Sequence, residues 1–369
     1  MNKINLEEEF IDKKKIDILI IGNGEYAMTV LLVILDLKKR MKSINKIAIC
    51  DTTIGFDKRN ITKQNVEKQL GMFKGFDMDI QYYENKEYAI LQFIPGSICI
   101  YTEEFKTSIG KLAIEKGLHL FISNPEITIK EHKLLDNLSN EMGVVVSIDN
   151  NQTYDPLYIA ARDKIKEFGE MKYFYSQMSQ PSYTNSKNID YVYFISSVNK
   201  FIRPIEIIST SNPDRDFVVI TITWENYITK NNSLSTHSVS WISGECEKIS
   251  YTGECGNFSV DRLQSQVCPG IDLDYNPFFM NIIPDEYGDF AGQNGYGYIN
   301  IFKFIESVRE IECGMAVPDY FRNTLHTLRS TYYSTAVFEA GELSLKLGKK
   351  VFIKYDNKNI PFIDSEYIE

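Results

Sequence analysis

Apolar residues gather in short blocks over the first 150 positions, separated by polar or glycine-bearing segments. Residues 18–21 form one block, and residues 27–35 form another of helical length. Residues 46–50, 97–101, 118–122 and 144–148 repeat the strand-length block, and residues 78–82 alternate apolar and polar like a further strand. Between them, residues 103–116 and 130–142 carry apolar positions at helical spacing, each followed by a glycine, Gly117 or Gly143. Strands alternating with helices predict a doubly wound parallel sheet whose ligands bind at the carboxyl ends of the strands. The loops after residues 21, 50, 101 and 122 are then expected to share one crevice.

Beyond residue 150 the rhythm changes. A helix over 156–168 precedes β-branched and aromatic segments at 173–178, 204–210, 217–224, 235–241 and 256–260. These predict a mostly antiparallel sheet with one face to cover. A glycine- and tyrosine-rich loop, residues 290–298, leads into helices over 299–312 and 319–346, and the last twenty or so residues read as peripheral. The expected fold class is α/β, with an N-terminal Rossmann doubly wound parallel sheet. A C-terminal α+β domain with a large, mostly antiparallel open sheet follows it. The expected division is a polar extension over 1–15, a Rossmann domain over 16–149, a second domain over 150–345 and an extension over 346–369.

Composition narrows the function classes. At 369 residues, with 43% hydrophobic and 24% charged positions, the chain suits two globular domains and leaves little room for disorder. The net charge of −10 is dispersed and no basic stripe occurs, so nucleic acid is not an expected partner. The six cysteines, at 50, 99, 246, 255, 268 and 313, form no C-x-x-C pair and no His spacing typical of zinc, so no metal site is expected. Cys50 and Cys99 fall in apolar strands, which fits reduced core thiols in a cytoplasmic setting. The polar residues 1–17 do not read as a secretory signal, and the apolar run at 27–35 is too short for a bilayer span.

The most informative chemistry lies where Ile18-Leu19-Ile20-Ile21 runs into Gly22-Asn23-Gly24-Glu25-Tyr26-Ala27 and then into the apolar helix. Glycines at 22 and 24 permit a sharp turn and close approach of a pyrophosphate, while the helix start offers unpaired N–H groups. Asp51 ends the second strand, where an acid can hold a ribose 2′-hydroxyl or cap a turn. It follows the glycines at somewhat more than the usual separation of about twenty residues. Lys58 and Arg59 come soon after it, which leaves NAD and NADP both open.

The Gly22 loop, the strand end Ser123-Asn124-Pro125 and Tyr154-Asp155-Pro156 resemble the Gfo/Idh/MocA oxidoreductases over roughly residues 16–345. The resemblance is strongest to members with a G-x-G-E-Y loop, an M-S-Q-P strand end and an F-A-G-Q-N-G-Y-G-Y loop. Those stand here at 22–26, 178–181 and 290–298. It implies an NAD or NADP site at Gly22, Asn23, Gly24, Glu25, Tyr26, Asp51, Thr102, Asn124 and Pro125. A sugar or polyol would be met by Tyr154, Asp155, Gln293, Asn294 and Tyr296. An open sheet face, together with the resemblance, implies a homodimer.

The same comparison exposes departures. The family places a lysine of an E-K-P motif beside the reacting carbon and uses a histidine to accept the proton. Asn124 stands at the lysine position, and an amide has neither the charge nor a useful pKa. No histidine occurs between 182 and 203; the four histidines, at 119, 132, 237 and 326, read as structural. Asp190, Tyr191 and Tyr193 are the titratable groups near the expected place. Thr102-Glu103-Glu104 replaces a Thr-Pro and histidine segment, and uncharged Asn151-Gln152-Thr153 replaces basic residues. The resulting expectation is a pseudo-oxidoreductase that binds NAD(P) and acts as a binding or assembly protein. The alternative is an active NAD(P)-dependent oxidoreductase of a sugar or polyol with a rerouted proton relay.

Overall fold

A computed structural model describes residues 15–41, 44–51, 80–123, 125–179, 187–199, 201–240, 246–263, 281–284, 290–364 and 366. The chain divides into two compact units. The first comprises Met1–Glu126, Glu131–Tyr154 and Pro277–Ser330; the second comprises Ile127–Lys130, Asp155–Asn276 and Thr331–Glu369. A single cut near residue 150 therefore misses a segment after residue 277 that belongs with the first unit.

In the first unit, β1 (Ile16–Ile21), α1 (Glu25–Met41), β2 (Ile44–Cys50), β3 (Ile80–Tyr83), α2 (Lys86–Leu91), β4 (Ile98–Tyr101), α3 (Thr107–Glu115), β5 (His119–Ile122), α4 (Ile129–Met142) and β6 (Val146–Ile148) follow the expected alternation. The strands lie in the order β3-β2-β1-β4-β5-β6, every neighbouring pair parallel. Ile18, Leu19, Ile20 and Ile21 are all fully buried. Successive side chains point to opposite faces, so both faces of the sheet are covered. The helix expected over 103–116 begins only at Thr107, and α2 is an additional helix.

The second unit opens with α5 (Pro156–Ile165), β7 (Met171–Ser179), α6 (Lys187–Val198), β8 (Ile202–Ser211), β9 (Phe217–Asn226), β10 (Asn232–Ser240), β11 (Cys246–Gly253) and β12 (Asn257–Leu263). β13 (Asn281–Pro284), β14 (Phe290–Asn294) and α7 (Tyr296–Glu312) then return to the first unit. Ile301, Phe304, Ile305 and Val308 of α7 join Ile18, Ile20, Leu31 and Ile34 in one core, with the Phe304 and Phe121 rings 5.3 Å apart. Each such side chain contributes roughly 1.5–3 kcal/mol on burial. The glycine-rich run 290–298 is thus a strand and a helix start: β14 pairs with β13, and Gly295 caps α7 at φ 116°.

The helix expected over 319–346 is broken into the turns Pro318–Asn323 and Leu328–Thr331 before α8 (Tyr332–Leu347). The backbone explains the break. Ile148 N–H donates to His326 O at 2.7 Å and Thr327 bridges Ser147, so this segment covers the open edge of β6. In the second unit β15 (Val351–Tyr355) and β16 (Pro361–Ile363) extend the sheet, which runs β12-β11-β7-β10-β9-β8-β15-β16 and is antiparallel except at β10–β7. The tail expected to be peripheral therefore supplies two strands, with Val351 and Ile353 buried. Phe174, Trp224, Val239 and Tyr251 of the sheet share a core with Tyr191, Ala336 and Ala340 from the helices.

Candidate functional site

The parallel sheet brings the ends of β1, β2 and β4 side by side, and short hydrogen bonds fix their loops. Gly22 N–H donates to Cys50 O at 2.9 Å, and both the N–H and the hydroxyl of Thr102 donate to Ile21 O at 2.9 Å. Gly22 has φ 119°, and a Cβ there would strike Thr102 Oγ1, so glycine is required on both counts. Gly24 differs: a Cβ there would meet no atom of the described residues within 4 Å. Met28 N–H donates to Gly24 O at 3.1 Å, so α1 begins at Glu25 and its first-turn amides have no acceptors within the helix. Open space at Gly24 beside the N-terminus of a 17-residue helix fits a pyrophosphate.

Asp51 is buried at the end of β2, and its N–H donates to Tyr83 O at 3.0 Å. Nearby, Lys86 at the start of α2 donates to Tyr101 Oη at 3.1 Å and pairs with Glu103. Burial opposes the Lys86 charge, yet the bonds to Glu103 and Tyr101 outweigh it and raise its pKa. Burial, reinforced by the charges of Glu103, Asp51 and Glu87 against that of Lys86, pushes the Cys50 thiol up to about 12.

A second polar group stands at the end of β6. Tyr26, in the first turn of α1, donates from its hydroxyl to Asp149 Oδ2 at 2.5 Å, and Asn300 Nδ2 of α7 donates to Asp149 Oδ1 at 2.6 Å. Asn300 is buried, while Tyr26 and Asp149 are half-buried. A carboxylate with one oxygen fixed by an amide and the other bonded to a phenol can accept a proton through that phenol. Sequence reasoning included Tyr26 for its place in the loop but missed Asp149 and Asn300. The available signal was that Asp149 follows β6 directly, as Asp51 follows β2.

Other expected site residues are distributed as follows. Asn124 lies outside the described residues, as do Lys58, Arg59, Gln180 and Pro181 and the side chains of Glu25 and Asp190. Asn23 is half-buried beside the loop and Pro125 is buried after β5. Tyr154 donates to Thr324 O at 3.0 Å with Lys303 over its ring, in the first unit; Asp155 is buried in the second. Asn294 is exposed and Tyr296 buried, while Gln293 is buried with neither amide atom hydrogen-bonded. Tyr191 does not suit the proton-handling place expected for it. It is fully buried, stacked on His237 at 6.0 Å between ring centres, because α6 turns that side chain into the core. Tyr193 is half-buried on the same helix.

All four histidines are built into packing. His119 Nδ1 accepts from Val145 N–H at 3.0 Å, which leaves Nε2 to donate to Glu312 Oε1 at 3.1 Å. His132 Nε2 donates to Leu328 O at 2.6 Å, and burial lowers its pKa to about 4. His237 lies between the hydroxyls of Ser176 and Ser235, at 2.7 and 2.8 Å, and burial lowers its pKa to about 3. His326 Nε2 meets Thr153 Oγ1 at 2.9 Å. No metal-ligating cluster occurs among the described residues, where Cys50, Cys99, Cys255 and Cys313 are free thiols and no helix is long and apolar enough to cross a membrane.

No family model matches the chain, and no curated protein matches its sequence. Solved structures do match its fold. An inositol dehydrogenase homologue from Azotobacter vinelandii, complexed with NADH and myo-inositol, superposes with a TM-score of 0.65 at 13% identity, covering 92% of this chain and 98% of that one. GenD2 from gentamicin A biosynthesis, in complex with NAD, gives 0.63 at 13% identity over 92% and 97%. Biliverdin reductase from Synechocystis, with biliverdin and NADP+, gives 0.60 at 11% identity over 90% and 99%.

Proposed function

We propose that this chain, which has the two-domain fold of the Gfo/Idh/MocA-type dehydrogenases, is a nicotinamide-dinucleotide-dependent oxidoreductase of a hydroxylated small molecule such as a sugar or polyol. NAD or NADP is taken at the carboxyl edge of the first unit. Gly22, Gly24 and the start of α1 hold the pyrophosphate and Asp51 holds the adenosine ribose. That assignment is supported by the open space at Gly24 and by solved neighbours whose crystals hold NAD or NADH. The choice of activity over mere binding is carried by the chain of hydrogen bonds through Tyr26, Asp149 and Asn300.

The bound dinucleotide supplies a hydride acceptor. Asn300 fixes Asp149 Oδ1, so Oδ2 keeps its bond to Tyr26. As the substrate carbinol carbon gives up its hydride, its hydroxyl proton passes to Tyr26 Oη. The Tyr26 proton passes to Asp149 Oδ2, and the C–O bond becomes a carbonyl. One proton is left on Asp149 for return to water. This route needs neither the lysine replaced by Asn124 nor a histidine in 182–203.

Those two absences favour a second function, a pseudo-oxidoreductase that binds the dinucleotide and serves as a binding or assembly protein. Turnover of NAD+ with inositols and aldoses decides between them. Measurable oxidation that falls by about 10²- to 10⁴-fold in Asp149→Asn supports the relay; dinucleotide binding without turnover supports the second function. Pairing with another copy through the half-exposed face of the second unit's sheet is part of the same proposal.

A further inference from the structure

Gln293 lies in β14, and only 4% of its surface is exposed. Neither its Oε1 nor its Nε2 has a hydrogen-bond partner among the described residues. Strand alternation turns it away from Arg40. A Cβ on Gly292 would come 4.0 Å from Arg40 Nη1, and successive strand residues face opposite ways, so Gln293 takes the other face, paired with Ile282 of β13. A buried amide with both atoms unpaired has given up its bonds to water and is costly; an apolar side chain of the same length avoids that cost. Such an amide calls for a partner from outside the chain. Its position connects it to the proton route. Two residues on, Gly295 caps α7 at φ 116°, and Asn300 of that helix donates to Asp149. Three chain steps and one helical turn keep the Gln293 and Asn300 Cα atoms within about 17 Å of each other, a span that a sugar-sized ligand and the intervening side chains can bridge.

We propose that Gln293 sets substrate choice: its amide holds two adjacent hydroxyls away from the reacting one, so the substrate is a vicinal polyol and not a simple alcohol or a hydroxy acid. The inference rests on the dinucleotide-dependent oxidoreductase proposed above. The amide oxygen accepts from one hydroxyl while the NH2 group donates to the neighbouring oxygen. A lone hydroxyl pairs one amide atom and leaves the other buried and unpaired. A carboxylate only accepts, so it leaves Oε1 without a donor. A site of buried polar groups rejects ligands that lack the matching group in just this way.

Melting of the full chain with NADH present tests this without turnover, and Gln293→Met keeps the length of the side chain while removing the amide. Without ligand, Gln293→Met is expected to melt at or above the wild-type temperature; a lower value means that the amide is bonded within the fold and overturns the inference. In the wild type, at least one of myo-inositol, D-glucose and D-xylose is expected to raise the melting temperature, and cyclohexanol and lactate are not. In Gln293→Met the affinity for that polyol is expected to fall about tenfold or more, with NADH affinity by fluorescence titration unchanged. No shift with any of the three polyols, a comparable shift with cyclohexanol or lactate, or an equal polyol shift in both proteins would overturn the inference. Weakened NADH binding in the variant would also overturn it, by giving the amide to the nicotinamide. Absence of NADH binding in the wild type removes the dinucleotide reading and this inference with it, whereas NADH binding with no polyol effect removes this inference alone.

Discussion

Tyr26 and Asp149 are 123 residues apart in sequence, and only the parallel sheet brings the start of α1 to the end of β6. In an active chain, Asp149→Asn should also abolish the acid limb of the kcat/KM profile, because the amide cannot titrate in that range. Retention of that limb would place the acceptor elsewhere. The buried histidines make a separate prediction about stability. His132 and His237 hold native pKa values of about 4 and about 3 against 6.5 when unexposed to the fold. Their depressed values mean that the unfolded chain takes up protons first as pH falls. Stability is therefore intact above about pH 6.5 and declines toward pH 4, by about 2 kcal/mol per histidine at pH 5. Melting temperatures measured at pH 7.5 and 5 should show this loss, and His237→Asn should reduce it; a flat wild-type profile would contradict the assignment. Tyr26 could be chosen from its loop, but Tyr191 could not be rejected from sequence, since its core position depends on the rotation of α6 against His237.

Among the elements, β1, β2 and β4 to β6 were legible because buried parallel strands are near-continuous apolar runs bounded by glycine or polar turns, and the edge strand β3 was legible from its alternation. The short helix α2 was not, and neither was the strand at 290–294, whose glycine weakens the strand pattern although it pairs antiparallel with the nearby β13. The break before α8 was equally hidden, since residues 326 and 327 leave helical geometry to cover the edge of β6. Helix α7 reads as helical in sequence, but nothing local says which sheet receives it. Its place gives a direct prediction. Phe304→Ala, which empties a fully buried position against Phe121, should cost about 3–5 kcal/mol. A fragment ending at residue 154, which lacks α7, should fail to show a cooperative melting transition. A stably folded fragment would show that α7 is dispensable to the first unit.

For the whole molecule, the second unit's sheet presents Tyr173, Phe217 and Leu234, 40, 41 and 46% exposed, with Thr221 opposite Thr236 across β9 and β10. Sedimentation should find a dimer or larger assembly, and Leu234→Lys should shift it toward monomer; a monomeric wild type would contradict pairing through this face. Every functional proposal above depends on one property of the first unit, a dinucleotide seated on the glycine loop. Gly24→Val tests it most directly, because none of the described residues comes within 4 Å of the added Cβ, whereas a pyrophosphate on the glycine loop would meet the larger side chain. Titration with NADH should saturate in the wild type and weaken by about tenfold or more in Gly24→Val at an unchanged melting temperature. Equal NADH affinity in the two proteins, or no saturation in the wild type, would contradict the account.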